Sequence, residues 1–329
     1  MMKDLPLLTI GILSWNRLHY LRATLESARR CIKYPNIQWI VLDNCSIEPG
    51  LPEYLKSLDW VDELIFMDSS HVSAMNEIVS RARGDVLLMW PDDMQFVVEG
   101  DWMRDCIELL MANDWIGSLS LNFQRRTTIQ QIWGEKRLTW KRLKEAYGEI
   151  KQFGVKYRFQ KKLVSSRGFP IRTYGLKADG IIGAGIASLT RINVWKNLGP
   201  WKFNSGGKRN IIDSSAGGED EMIARWRNAR IPYQRALPIL PVSADILTDD
   251  TGTKAKIRGN RRYGVYNPPN KDEFYYRIYK QEEVADRLTN EMPVAFEDIV
   301  QSIGYDLPMD DQGNLIKGSL NTSVITSIV

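Results

Sequence analysis

The sequence predicts an α/β protein with a mainly parallel sheet flanked by helices, and three observations predict it. Apolar runs alternate with stretches of helical spacing through the first 120 residues. Those runs are apolar throughout, as strands covered on both faces are. Several end on Asn or Asp, at the strand edge where open α/β sheets bind their ligands.

Taken in order, Leu7–Leu13 reads as a buried strand, and Leu18–Ile32 as a helix with apolar residues at Leu18, Leu21, Leu25 and Ala28. Ile37–Leu42 is a second strand, ending at Asp43-Asn44-Cys45-Ser46; Pro52–Leu58 is a short helix and Glu63–Met67 a third strand. Val72–Ala82 is a helix closed by Gly84, Asp85–Trp90 a fourth strand, Trp102–Ala112 a helix and Ile116–Leu121 a strand. Strands alternating with helices imply a parallel sheet with both faces covered.

Residues 124–172 break this rhythm. They carry fourteen Lys or Arg against three acidic residues, interleaved with Trp133, Trp140, Tyr147, Tyr157, Phe159 and Phe169. Only Leu138–Ile150 in this stretch has helical spacing. The pattern resumes with the glycine-rich strand Gly180–Leu189, the helix Ile192–Leu198 stopped by Gly199-Pro200, the helix Glu219–Arg230 and the strand Pro232–Pro241. Residues 248–264 form a polar, basic loop punctuated by glycine, and Lys271–Leu288 reads as a helix. Beyond Asn290 periodic signals are few.

Composition narrows the function classes. A chain of 329 residues holds one large α/β domain or two smaller ones. Its net charge is +4, so the chain outside the basic segment is acidic overall. A basic segment in an acidic protein suggests an anionic partner: a phosphate, a membrane surface or a nucleic acid. The three cysteines, Cys31, Cys45 and Cys106, show neither disulfide nor zinc spacing and read as small core residues of a protein in a reducing compartment. The apolar run Leu5–Leu13 lacks a basic leader and a cleavage site and reads as a strand. No stretch approaches the roughly 18 apolar residues of a membrane span. Two histidines, His19 and His71, exclude a His-rich metal site.

Two acidic clusters carry the candidate chemistry. Asp92-Asp93 follows the apolar run Val86–Trp90, which would fix its backbone while its side chains face a cleft. Paired carboxylates suit a hard divalent cation that also binds substrate phosphates, although Asp92 could equally cap a turn with Asp93 solvated. Gly217-Gly218-Glu219-Asp220-Glu221 opens a helix, where carboxylates serve either the helix dipole or a general base. Asp43 either bonds a nucleobase or ribose or starts a turn. Trp195 and Trp201 read mostly as core, with Trp201 a candidate floor for a sugar.

The order of these pieces resembles the GT-A fold glycosyltransferases, in particular the inverting group called family two. The family's opening strand and helix resemble Thr9-Ile10-Gly11-Ile12-Leu13-Ser14-Trp15-Asn16-Arg17, and its nucleotide strand end is similar to Val41-Leu42-Asp43-Asn44-Cys45-Ser46. Ala74-Met75-Asn76 with Ala82-Arg83-Gly84-Asp85 resembles the helix before the metal strand. Pro91-Asp92-Asp93 matches the metal motif, and Gly183-Ala184-Gly185 through Trp201 the acceptor side. Glu219-Asp220 matches the Glu-Asp signature, with Arg225 on the same helix.

The resemblance implies a metal-assisted, inverting transfer of a sugar from a nucleotide-diphosphate donor, UDP-sugar by default, with Mn²⁺ or Mg²⁺ as cofactor. It divides the chain into a nucleotide-sugar half (1–123), the basic aromatic insert (124–172), an acceptor half (173–265) and a C-terminal helical extension and tail (266–329). Ser14, Asn16, Arg17, Asp43, Asn76 and Asp92, with loop residues Lys254 and Arg258, fall to the donor. Asp93 falls to the metal, Asp220 to the general base, and Gly185, Trp201 and Glu219 to the acceptor. Two positions depart from the pattern. Pro91 occupies the first place of the metal motif, and no histidine follows the late strand, where Asp245 stands as substitute ligand. The acceptor class is a glycan, a lipid-linked or a protein hydroxyl, the insert offers a surface to anions, and the location is cytoplasmic or at the periphery of a membrane. The rival readings are an inactive sugar- or nucleic-acid-binding relative and a nucleotidyltransferase. The last lacks its glycine-rich phosphate loop at Ser14-Trp15-Asn16-Arg17, and a nucleic-acid partner is disfavoured by the acidic remainder.

Overall fold

Leu8–Ser14 (β1) and Val86–Pro91 (β4) are apolar on both sides because each is buried on both sides. Leu8, Ile10, Ile12, Val86, Leu88 and Trp90 point into one core, while Leu87 and Met89 enter a second core on the opposite face. The computed structural model describes residues 5–121, 159–174, 188–202, 221–222, 225, 234–238, 242–245 and 278–282.

Around β1 and β4 the elements follow in chain order: α1 (Leu18–Cys31), β2 (Ile37–Asp43), α2 (Leu51–Lys56), β3 (Glu63–Phe66), α3 (His71–Arg81), then β5 (Met94–Phe96), β6 (Val98–Glu99), α4 (Trp102–Ala112) and β7 (Ile116–Ser120). Next come β8 (Phe159–Val164), β9 (Pro170–Tyr174), β10 (Ser188–Arg191), α5 (Ile192–Leu198), β11 (Gln234–Pro238), β12 (Ser243–Asp245) and β13 (Tyr279–Lys280). The main sheet has nine strands in the order β3-β2-β1-β4-β10-β7-β11-β9-β8. All of them except β10 and β9 run in one direction, so the sheet is mainly parallel, as expected.

Side-chain contacts place α1 and α4 on one face and α3 and α5 on the other. The α3 helix lies close over β1: a Cβ at Gly11 would stand 2.3 Å from Cγ2 of Ile78. Arg191, at the end of β10, is buried and donates to the carbonyls of Leu110, Asn113, Asp114 and Ile116. A guanidinium there satisfies carbonyls that the end of α4 leaves over and complements its dipole.

Several expectations change. The described end of the basic segment, where the sequence offers no regular element, joins the fold: β8 and β9 form a hairpin that extends the main sheet beyond β11. Its turn is bolted to α4. Arg167 donates to Asp105 at 2.7 and 3.1 Å and to Asp101 at 2.8 Å, and Ser165 Oγ donates to Asp105 at 2.7 Å. Within Lys271–Leu288, Tyr279–Lys280 is a strand paired with β6, not helix, because Lys280 reaches Glu99 at 2.7 Å and tertiary pairing overrides local propensity. Cys45 is exposed, whereas Cys31 and Cys106 are core residues whose thiols burial pushes up, Cys31 to about 12. The β10 strand also runs on to Arg191, two residues past the expected end. Leu138–Ile150 and the loop 248–264 lie outside the described residues. Among the described residues no helix is long and apolar enough to cross a membrane.

Candidate active site

Register brings the candidate residues to one edge of the sheet. Ser14 pairs with Asp43, Leu13 with Pro91, and Asp43 with Phe66, so β1, β2, β3 and β4 end at one level. The three loops leaving them hold Asn16-Arg17, Asn44–Glu48 and Asp92-Asp93.

The first two loops are interlocked through Asp43. Its buried carboxylate accepts from Ser14 Oγ at 2.8 Å, from Ser46 N–H at 2.7 Å and from Ser46 Oγ at 2.6 Å. Ser46 Oγ in turn accepts from Asn16 N–H at 2.7 Å, and Asn16 Oδ1 accepts from Ile47 N–H at 3.0 Å and Glu48 N–H at 3.3 Å. A carboxylate has about four acceptor positions, so three internal bonds leave Asp43 little capacity. Its first work is to hold the two loops together.

This lock maintains an unusual backbone. Asn16, Arg17 and Cys45 have φ of 54°, 61° and 49°, and among the described residues they are the non-glycine positions with positive φ. Such conformations persist where surrounding bonds over-determine them, and they cluster at functional sites. Arg17 occupies the N-cap position of α1 but supplies no cap. Glu48 supplies it instead, accepting from Leu18 N–H at 2.9 Å. Ser46 and Glu48 were not foreseen from the sequence.

The third loop carries the acidic pair. Asp92 and Asp93 form the two-residue turn between β4 and β5, and both are buried. Trp90 and Phe96, on either side, stack at 4.0 Å, and Trp90 Nε1 donates to Met94 O at 3.2 Å, so the turn is rigidly based. The guanidinium of Arg17 crosses from the first loop to pair with Asp92 and approaches Asp93 Oδ2 at 3.5 Å. Burial works against its charge, yet Asp92 and Asp93 outweigh burial and raise its pKa, so Arg17 stays protonated. On the other side of the turn β12 pairs antiparallel with β5, setting Asp245 opposite Met94, next to Asp93 in the chain.

Asn76, which the resemblance assigns to the donor, is bonded to Trp201, which it assigns to the acceptor. Asn76, on α3, bonds both main-chain groups of Trp201: Nδ2 donates to its carbonyl at 3.0 Å and Oδ1 accepts its N–H at 2.7 Å. Trp201 is 3 % exposed and packs against Trp195 with ring centroids 5.2 Å apart, so its ring is part of the core. Glu221, Met222 and Arg225 are helical, within the expected helix Glu219–Arg230. Arg225 donates to Pro200 O at 2.6 Å, to Leu198 O, and to Glu221 at 2.7 Å, which moors this turn beside the end of α5. Gly199 ends α5 with φ of 78°, a conformation suited to glycine. Glu219, Asp220, Gly185, Lys254 and Arg258 lie outside the described residues. His71 opens α3 behind the cap Ser70. Among the described residues no cluster of three or more His, Cys, Asp or Glu is placed to hold an ion.

This edge of the sheet is where sequence comparison finds its counterpart. Residues 9–165 match the family model described as Glycosyl transferase family 2. The family-two match contains the three interlocked loops, and it supports both glycosyl transfer and the GT-A reading of the sheet. A protein of Sinorhizobium fredii described as uncharacterized protein y4gI is 31 % identical over 113 residues, which is 33 % of this chain and 12 % of that protein. Among solved structures, the mannosyltransferase PcManGT from Pyrobaculum calidifontis, in complex with GDP-Man and Mn²⁺, aligns at 13 % identity and TM-score 0.45, covering 73 % of this chain and 56 % of its own. TarS 1-349 of S. aureus aligns at 11 % identity and TM-score 0.44, covering 73 % of this chain and 60 % of its own. This chain thus spans a small part of its sequence relative and little more than half of either structure. The family-two model and the sheet order, rather than these alignments, carry the argument.

Proposed function

We propose that this chain is an inverting glycosyltransferase that moves a hexosyl group from a nucleotide-diphosphate donor, by default a UDP-sugar, to an acceptor hydroxyl. One observation carries the proposal: a buried carboxylate pair at the end of β4 converges on the guanidinium of Arg17, level with the strand ends of β1 and β2. That convergence is also the test of fit for a metal. Oxygen ligands from adjacent carboxylates, with Asp245 paired in register beside them, suit Mn²⁺ or Mg²⁺. Asp93 would hold the ion with Asp245. When bound, the cation would offset the charge that builds on the departing diphosphate.

The remaining roles belong to the chain's own side chains. Ser14, Asn16 and Asp43 shape the loops that receive the nucleotide, and the one acceptor position that Asp43 keeps is directed to the base or ribose. Asp92 and Arg17 take the ribose–diphosphate side, with Lys254 and Arg258 closing over the phosphates. Asn76, a donor-side residue by the resemblance, also holds the main chain of Trp201, which with Gly185 and Glu219 receives the acceptor. Asp220 removes the acceptor hydroxyl proton as that oxygen attacks the anomeric carbon from the face opposite the leaving group, so inversion follows without a covalent enzyme intermediate. The basic segment 124–172 serves an anionic glycan, a lipid-linked acceptor or an anionic membrane, consistent with a cytoplasmic enzyme working at a surface.

A panel of nucleotide sugars with Mn²⁺, read by release of the nucleoside diphosphate, tests the reading. One donor should turn over slowly without acceptor, and EDTA should stop it. Failure of every nucleotide sugar to bind or turn over, with and without metal, contradicts the proposal.

A further inference from the structure

Arg17 stands where the acidic pair wants a cation. We propose that its guanidinium is an internal counter-cation of Asp92 and Asp93, paired with them in the metal-free protein and displaced from their oxygens by a divalent ion. The inference rests on the glycosyltransferase reading and deepens it.

Three observations carry it. First, Arg17 divides its guanidinium between the two carboxylates, with Nη2 on Asp92 Oδ1 and Nη1 3.5 Å from Asp93 Oδ2, instead of forking onto either one. The guanidinium therefore lies against one oxygen of each carboxylate. Second, the site is closed to water's screening: the side chains of Arg17, Asp92 and Asp93 are 14 %, 7 % and 4 % exposed. An ion such as Mg²⁺ sits about 2.0–2.1 Å from its oxygen ligands, so an ion on these oxygens would press against the guanidinium with little dielectric relief. The two cations exclude one another. Third, the backbone is shaped to send Arg17 there. Asn16 and Arg17 both hold positive φ, and Arg17 stands at the N-cap position of α1 without capping it, the cap coming from Glu48 on another loop.

Displacement has a destination. Arg17 follows β1 directly, on the loop locked to Asp43 and Ser46, so a freed guanidinium is beside the nucleotide-side loops and is the right group to fork onto a diphosphate. Metal and nucleotide then assist each other: the ion releases Arg17, and the diphosphate gives it a new partner. Mn²⁺ alone is expected to bind weakly, and UDP to strengthen it. By reciprocity Mn²⁺ strengthens UDP by the same factor.

Calorimetric titration of Mn²⁺ into the wild type and Arg17→Gln, with and without UDP, measures this. Arg17→Gln should bind Mn²⁺ alone about tenfold more tightly, equivalent to about 1.4 kcal/mol, and the gain from UDP should shrink. The wild type supplies a second readout that no folding defect can obscure. Phenylglyoxal should modify Arg17, located by mass spectrometry, faster when Mn²⁺ alone is added. Equal or weaker Mn²⁺ binding by a folded Arg17→Gln, or an Arg17 equally shielded at saturating Mn²⁺, overturns the inference while leaving glycosyl transfer standing. Absence of Mn²⁺ binding by both proteins, even with UDP, overturns the inference together with the metal part of the proposed function.

Discussion

The proposed donor edge and the proposed acceptor edge of the candidate site are built by different means. At the donor edge, the loops after β1 and β2 bond one another through Asp43, Ser46, Asn16 and Glu48, and Arg17 carries the chain of contacts on to the turn after β4. At the acceptor edge, Trp201 hangs on the two bonds of Asn76, and the helical turn of Glu221 on the donors of Arg225. Strand ends fix a site by register, and loops must be tied to it one bond at a time. Damage at the donor edge should therefore cost stability and nucleotide binding together. Damage at the acceptor edge should alter acceptor kinetics while the fold stands.

The largest expected effect tests the acceptor edge. Asp220→Asn keeps the shape of the residue and removes its proton affinity, so kcat should fall roughly 10²- to 10⁴-fold. Donor affinity and melting temperature should barely change. Unaltered kcat would pass the role of base to Glu219 or Glu221.

Asp43→Asn tests the donor edge. The amide offers an NH₂ where the carboxylate now accepts from Ser14 or Ser46, and the buried mismatch should cost about 1–3 kcal/mol in denaturant unfolding. Nucleotide binding should weaken with it. A variant with wild-type stability would show that the lock is not what holds these loops.

Asn76→Ala lies between the two edges and sharpens the contrast. It releases the main chain of Trp201, at an expected cost of about 1 kcal/mol, and should raise the acceptor KM while leaving the donor KM in place. A change confined to donor KM would move Asn76 from one edge to the other.

The smallest effect lies far from the site, where β13 docks on β6. Hydrogen bonding from Lys280, helped by Lys33 against the cost of desolvation, holds the Glu99 carboxyl down at about 2. The folded pKa lies below the ordinary 4.5, so the stabilisation is complete above pH 4.5 and is lost as pH falls through about 2. Peptic cleavage near Tyr279–Lys280 should accelerate across that window in wild type. In Glu99→Gln it should already be fast at its upper end.

The sequence made the donor edge readable because long apolar strands end on the residues that matter: Ser14, Asp43, Asp92 and Asp93 follow runs whose burial leaves one register available. The helices α1, α3 and α4 were readable for the same reason, each with a clear apolar face. The β8–β9 hairpin was hidden because Lys161, Lys162 and Arg167 break any alternation, and its anchor is a long-range pairing with Asp105 on α4 and Asp101 just before it. Tyr279–Lys280 misled because its strand exists only through β6. Cys45 looked like a core residue by type, but its positive φ places it in the exposed loop that caps the site. The link between Arg17 and Asp92 joins residues 75 positions apart and had no local signature.

The most direct test of the account is calorimetric binding of UDP to wild type and Asp93→Ala, each with Mn²⁺ and with EDTA. The account predicts that Mn²⁺ tightens UDP binding in the wild type and that Asp93→Ala abolishes the gain while retaining the metal-free affinity. Identical Mn²⁺ dependence in both proteins would contradict it.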